Sequence, residues 1–217
     1  MQGDRTLYVP KHIGRNVFPC HSLFTRLIRF SHQTPARLCV HDDNTGKQAT
    51  HIQLLSDVLA LRERLLHVLS PSVRHALDHS EEVYIAVLAP GGYEYTVGML
   101  AALATGAAVV PMTVALPAEE ALYFARKAHV SAVLVSEGAL QLGLELEKLM
   151  KYRDALKTFP CVPIEPSTFT PRLRPDQLVI SSDTYLNDSA PGVVIFTSGV
   201  SDPPEKLLSV SSCCEHH

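Results

Sequence analysis

The chain has 217 residues, 46% of them hydrophobic and 19% charged, which is enough for one large globular domain or two small ones and excludes a disordered tail or a coiled coil. A net charge of -3 leaves no basic excess to neutralise nucleic-acid phosphates or to seek an anionic membrane surface. The five cysteines (20, 39, 161, 213 and 214) are odd in number and form no Cys-x-x-Cys, so a disulfide framework is not expected and a reducing compartment, the cytoplasm, is the default.

Residues 1–19 read as a leader without regular structure. Arg5, Lys11 and Arg15 face only Asp4 there, and the Arg-rich, acid-poor character continues to Arg37, which makes a mitochondrial presequence the alternative address; Pro10, Gly14 and Pro19 interrupt any helix. The first helix is expected over His21–Phe30, from the spacing of Leu23, Phe24, Leu27 and Ile28. Ala36–His41 reads as a short strand, Asp43-Asn44-Thr45-Gly46-Lys47 as a turn, and Gln48 onward as its hairpin partner. Thr50 with Gln53 has capping-box spacing and opens a long helix, with Pro71 following its end.

Val83–Leu88 is a continuous apolar run, the pattern of a strand buried on both faces. Pro90-Gly91-Gly92 turns the chain into a helix over Tyr93–Thr105, which Gly106 closes. A strand at Ala107–Pro111, a helix at Pro117–His129, a strand at Ser131–Val135, a helix at Gly138–Tyr152 and a strand at Cys161–Ile164 complete the alternation. Tyr95–Ala118 is uncharged and long enough to span a bilayer, but Gly98, Gly106, Pro111 and Pro117 divide it into a buried helix and a buried strand. Pro163–Pro175 reads as a Pro-rich linker, Ser181–Ala190 as a polar loop, and Val193–Phe196 as the last strand. Strands and helices alternating at this spacing give an α/β fold, a mostly parallel sheet flanked by helices.

Val193–Phe196 runs directly into Thr197-Ser198-Gly199. Two hydroxyls and a glycine after a buried strand offer donors and a close backbone approach to a phosphate group; the plain alternative is a glycine turn. Pro90-Gly91-Gly92 lacks the G-x-G-x-x-G of a dinucleotide site and reads as a tight turn. His75 and His79 are spaced i, i+4, but a metalloprotease helix needs His-Glu-x-x-His and position 76 is Ala; both read as part of a solvated segment beside Asp78, Glu81 and Glu82. Cys213-Cys214-Glu215-His216-His217 lies on a tail without a scaffold for tetrahedral geometry, so no metal site is expected.

Tyr84–Pro111 resembles the early core of the AMP-forming acyl-CoA synthetase family, in which a strand, a helix and "aGavvvPl" precede a phosphate loop. Thr50–Leu55 resembles that family's "tYxeL" helix start, and Phe196-Thr197-Ser198-Gly199 resembles the opening of its "[YF]TSGTTGxPKG" loop. The resemblance implies the fold of the N-terminal subdomain of an adenylate-forming enzyme, with 20–199 as a partial AMP-binding domain. It implies adenylation of a small-molecule carboxylic acid by ATP and Mg, transfer to coenzyme A, and a setting in fatty acid metabolism. Thr197, Ser198 and Gly199 would hold the ATP phosphates, and no catalytic residue is assigned.

After Gly199 the pattern departs. Val200 and Ser201 stand where the family has two threonines, Asp202 at its second glycine and Glu205 at its lysine, with Lys206 one place late. Ser201 and Lys206 are therefore phosphate contacts out of register, and 200–217 is expected to be a tail unlike the family. The chain is expected to lack most of the active site and to be inactive in isolation. The alternatives are a non-catalytic fragment docking on a full-length paralogue and an unrelated nucleotide-binding module needing only the phosphate loop.

Overall fold

A computed structural model describes residues 16–153, 159–166, 173–186, 192–196 and 206–210. Its centre is a six-stranded sheet in the order β10-β9-β5-β4-β6-β7, formed by β4 (Tyr84–Leu88), β5 (Ala108–Met112), β6 (Ala132–Val135), β7 (Cys161–Pro163), β9 (Val193–Phe196) and β10 (Lys206–Val210). Five of these strands are parallel and β10 alone runs antiparallel, against β9.

The chain leaves β4 in one direction, through α4 (Tyr93–Ala104) to β5. It then crosses back over β4 through α5 (Ala118–Lys127) to β6, and on through α6 (Leu140–Arg153) to β7. Right-handed crossovers in opposite directions put their helices on opposite faces. That is the arrangement observed. Ile85, Val87, Val109, Ala132 and Leu134 share a core with α4 and with α2 (His51–Val68), while Ala86, Leu88, Val110, Val133 and Val135 pack with residues of α5 and α6. Both faces of the central strands β4, β5 and β6 are therefore buried, which is why Tyr84–Leu88 reads as an unbroken apolar run.

Helix α6 approaches the sheet closely at Gly143. A Cβ there would lie 2.5 Å from Val135 Cγ1 and 2.7 Å from Cys161 Sγ. Gly143→Ala is expected to lower stability by about 1–2 kcal/mol, overpacking outweighing the better helix propensity of alanine. Gly138→Ala, where a Cβ meets nothing within 4 Å, serves as the control; paired thermal melts of equal midpoint would refute the close-packing account.

Among the described residues there are also two two-stranded sheets. A hairpin of β2 (Leu38–Asp42) and β3 (Lys47–Thr50) precedes α2, and β1 (Val17–Cys20) pairs in parallel with β8 (Val179–Tyr185). The expected capping box of α2 is present, with Thr50 Oγ1 accepting from Gln53 N and Gln53 Oε1 accepting from Thr50 N. Helix α1 (Ser22–Ser31) is capped by His21, whose Nδ1 accepts from Leu23 N at 3.2 Å.

Five expectations are corrected. The leader reading fails at its end, because Val17–Cys20 forms β1, with Phe18 fully buried and stacked on Phe24 at 5.0 Å; residues 1–15 lie outside the described residues. The polar loop from Ser181 is a strand as far as Tyr185, because β1 supplies a hydrogen-bonding partner from the far end of the chain. Val193–Phe196 is not the last strand, since Lys206–Val210 forms β10 within the segment expected to be a tail. Pro71 does not merely follow the α2 helix: it is the first residue of α3 (Pro71–Asp78), with Ser70 Oγ accepting from Val73 N. The linker expected from Pro163 also starts late, since Ile164 is buried in the core and donates its N–H to Val135 O at 2.7 Å.

The uncharged stretch from Tyr95 to Ala118 is the body of α4 followed by β5, as expected. Among the described residues no helix is long and apolar enough to cross a membrane. Burial pushes the Cys39 and Cys161 thiols up to about 11, so neither presents a thiolate near neutral pH.

Candidate functional site

In an open parallel sheet, ligands bind outside the carboxyl ends of the strands, near the point where the strand order reverses. Here that edge is formed by Leu88, Met112, Val135 and Phe196, and the reversal falls between β4 and β6. Strand β9 joins the edge through β5, with Val193 opposite Val109 and Val109 N donating to Gly192 O at 2.9 Å. The chain therefore reaches the carboxyl edge at Phe196, immediately before Thr197. Thr197, Ser198, Gly199 and Ser201 lie outside the described residues. The backbone of Lys206 opposes Phe196 across the antiparallel pair, at the same edge.

The connection from β4 into α4 carries a cluster of hydrogen-bonded side chains at this edge. Asp42, at the end of β2, is buried and accepts from three backbone N–H groups: Tyr93 at 2.8 Å, Asn44 at 3.0 Å and Thr45 at 3.3 Å. It thereby caps the hairpin turn with one oxygen and the N-terminus of α4 with the other. The hydrogen bond from Tyr93 N, more than the turn N–H groups, holds its carboxyl below the usual carboxylate range. A folded-state value below the unfolded one means that this contribution is present at neutral pH and lost as pH falls through the folded value. The N-cap of α4 is Gly92, at φ 153° and ψ -157°, a region essentially restricted to glycine.

Tyr93 lies behind this cap. Its hydroxyl donates to Asp57 Oδ2 of α2 at 2.9 Å, and Lys47 Nζ sits 4.5 Å from its ring centroid. Burial, followed by the Asp57 charge, pushes the phenol well above its ordinary range, so it remains a proton donor. One turn surface thus joins the hairpin, α2 and α4 through Asp42, Tyr93 and Asp57.

Toward β6, Glu94 Oε1 accepts from Glu137 N at 3.3 Å, and Ser136 N donates to Leu88 O at 3.1 Å. Burial, reinforced by the charges of Glu137 and Asp42, raises the Glu94 carboxyl. The sequence reading assigned no role to Asp42, Asp57, Tyr93 or Glu94. The available signals were Asp42 placed just ahead of the turn and a tyrosine directly after the glycine pair.

A family model described as AMP-binding enzyme matches residues 28–200, most of the chain. The chain belongs to the AMP-binding enzyme family. It is 28% identical over 195 residues to the acyl-CoA ligase oryP of Aspergillus oryzae, a match that covers 88% of this chain and 32% of that protein. The chain therefore spans about a third of the length of this curated relative.

Solved structures share the fold. A red-emitting luciferase from Phrixothrix hirtus superposes with a TM-score of 0.54 at 15% identity, covering 93% of this chain and 46% of the luciferase. A Mycobacterium tuberculosis fatty acyl CoA synthetase gives 0.52 at 14% identity, covering 83% of this chain and 33% of that one. The expected α/β fold, with its mostly parallel sheet, is thus that of the N-terminal region of an adenylate-forming AMP-binding enzyme. Among the described residues no three His, Cys, Asp or Glu side chains gather as a metal centre.

Proposed function

We propose that the chain is the phosphate-loop-bearing part of an acid–thiol ligase that adenylates a carboxylic acid with ATP and passes the acyl group to coenzyme A. The carrying observation is that β9 meets the carboxyl edge of a parallel sheet directly before Thr197-Ser198-Gly199, inside the family match to residue 200. Likeness to an acyl-CoA ligase supports the thiol as acceptor.

Residues 20–199 are the partial AMP-binding domain in this reading. Thr197 and Ser198 donate hydroxyls to the ATP phosphates, and Gly199 lets backbone N–H groups approach them. Ser201 and Lys206 contribute less, being out of the family's register. Asp202 and Glu205 oppose phosphate binding by charge. Mg-ATP, when bound, supplies the adenylyl group and the charge neutralisation that pyrophosphate departure needs. In this reading the 217-residue chain, which spans 32% of the relative's length, does not adenylate by itself. The compartment proposed for it is the cytoplasm, with the mitochondrion as the alternative.

ATP–pyrophosphate exchange tests both parts of the reading. The purified 217-residue chain is expected to give no exchange above blank with any carboxylate offered. A longer protein, translated from a frame that continues past Gly199 into Thr-Thr-Gly-x-Pro-Lys-Gly, is expected to catalyse exchange and to lose it on Ser198→Ala and Gly199→Val. Exchange by the short chain would refute its incompleteness; an inert long protein would refute the ligase reading.

A further inference from the structure

We propose that His75 and His79, at the C-terminal end of α3, form a surface site for an imidazole-preferring divalent transition-metal ion of the Ni(II), Cu(II) and Zn(II) class.

Both side chains are exposed, four residues apart on one helical face, His75 in the last turn and His79 as the C-cap. Their rings lie nearly parallel, with centroids 4.0 Å apart and planes 20° from each other. The rings are thus within reach of each other, and rotation of the two exposed side chains out of the stack brings their nitrogens to the separation of about 3.3 Å that two imidazoles hold on one tetrahedral ion.

The backbone contact of His79 fits one tautomer. His79 Nδ1 lies 2.8 Å from the carbonyl oxygen of His75. A carbonyl can only accept, so Nδ1 carries the proton and the lone pair of neutral His79 is on Nε2. Metal-binding histidines are commonly oriented in this way, by donation of the second ring N–H to a backbone carbonyl.

The surrounding charge favours a cation. The α3 C-terminus presents the negative end of the helix dipole, and Asp78, Glu81 and Glu82 are exposed nearby. Since no third ligand gathers among the described residues, water completes the coordination shell. The spacing alone had favoured a solvated segment; the helix, the proximity of the rings and the His79 contact to the carbonyl of His75 change that reading.

Ni(II) is the probe, because it takes imidazole without oxidising thiols. Titration calorimetry is done on the full chain carrying Cys213→Ser, Cys214→Ser, His216→Ala and His217→Ala, which removes the other clustered ligands. The tightest phase is expected to weaken about tenfold or more in His75→Ala and in His79→Ala alike, since each loses the chelate's effective concentration. Far-UV circular dichroism verifies that α3 persists, and His75→Gln repeats the test with a bulkier neutral side chain. Ring nitrogen NMR reads the second arm: metal-free His79 is expected as the Nδ1–H tautomer, its Nε2 resonance moving on addition of Zn(II). Ni(II) affinity equal in all three variants and the parent would overturn the proposal, as would an Nε2–H tautomer for His79.

Discussion

Gly92→Ala is expected to lower stability by about 3 kcal/mol and the melting temperature by roughly 6–12 °C. Two causes act together. At φ 153° and ψ -157° a side chain is strained whatever space surrounds it. A Cβ would also lie 2.4 Å from Asp42 Oδ2, the oxygen that accepts from Tyr93 N. Asp42 must then withdraw, uncapping α4 and releasing the hairpin turn from it. The neighbouring Gly91→Ala meets nothing within 4 Å and is expected to change the melting temperature little. Combining Gly92→Ala with Asp42→Ala separates the causes: removing the carboxylate relieves the clash but not the dihedral strain, so the pair should cost less than the sum of the singles. Strict additivity in thermal melts would show that the close approach carries no energy.

Tyr93→Phe is expected to cost about 1.5–3 kcal/mol, the range for a hydrogen bond to a charged acceptor. The donor is 1% exposed and the acceptor Asp57 3% exposed, so water does not readily replace the lost hydroxyl. With Asp57→Asn as background the same substitution is expected to cost about 1 kcal/mol or less, because a neutral acceptor gains less from the phenol. Urea unfolding of the four proteins closes the cycle. Equal costs in the two backgrounds would mean that the charge of Asp57 adds nothing to the hydrogen bond from Tyr93.

Both predictions concern the same corner of the molecule, where the β4 carboxyl end turns into α4. The corner fixes the angle at which α4 leaves the sheet. It also keeps the β2–β3 hairpin against the edge that Phe196 reaches on the other side of β5. A change that loosens it is therefore felt both in stability and in the shape of the candidate site.

What was legible in the sequence follows from how local each signal is. The strands β4, β5 and β6 announce themselves by apolar runs, because both of their faces are covered and no polar alternation survives. The start of α2 is legible because its cap is made by residues three apart, Thr50 and Gln53. The hydroxyls and glycine after β9 are legible for the same reason, as residue types in a row.

Other elements depend on partners far along the chain. Strand β8 is polar in sequence and exists because Val179 and Ile180 find Val17 and Phe18. Strand β10 depends likewise on its pairing with β9. Helix α3 was readable from Ser70 and Pro71, but the same proline also marks the end of α2, and one residue served both boundaries. Asp42, Asp57 and Tyr93 are separated by up to 51 residues, and nothing local distinguishes Asp57 from any acid on an amphipathic helix.

The sequence by itself determined the alternation of strands and helices, the two-faced burial of the sheet and the chemical character of the segment after Phe196. These rest on periodicity and on neighbouring residues. Only the tertiary structure decided which strands pair across the length of the chain, that a buried aspartate requires a glycine at position 92, and that two exposed histidines stack, with His79 against the carbonyl of His75. Those outcomes rest on distances between residues whose separation in sequence carries no record of their separation in space.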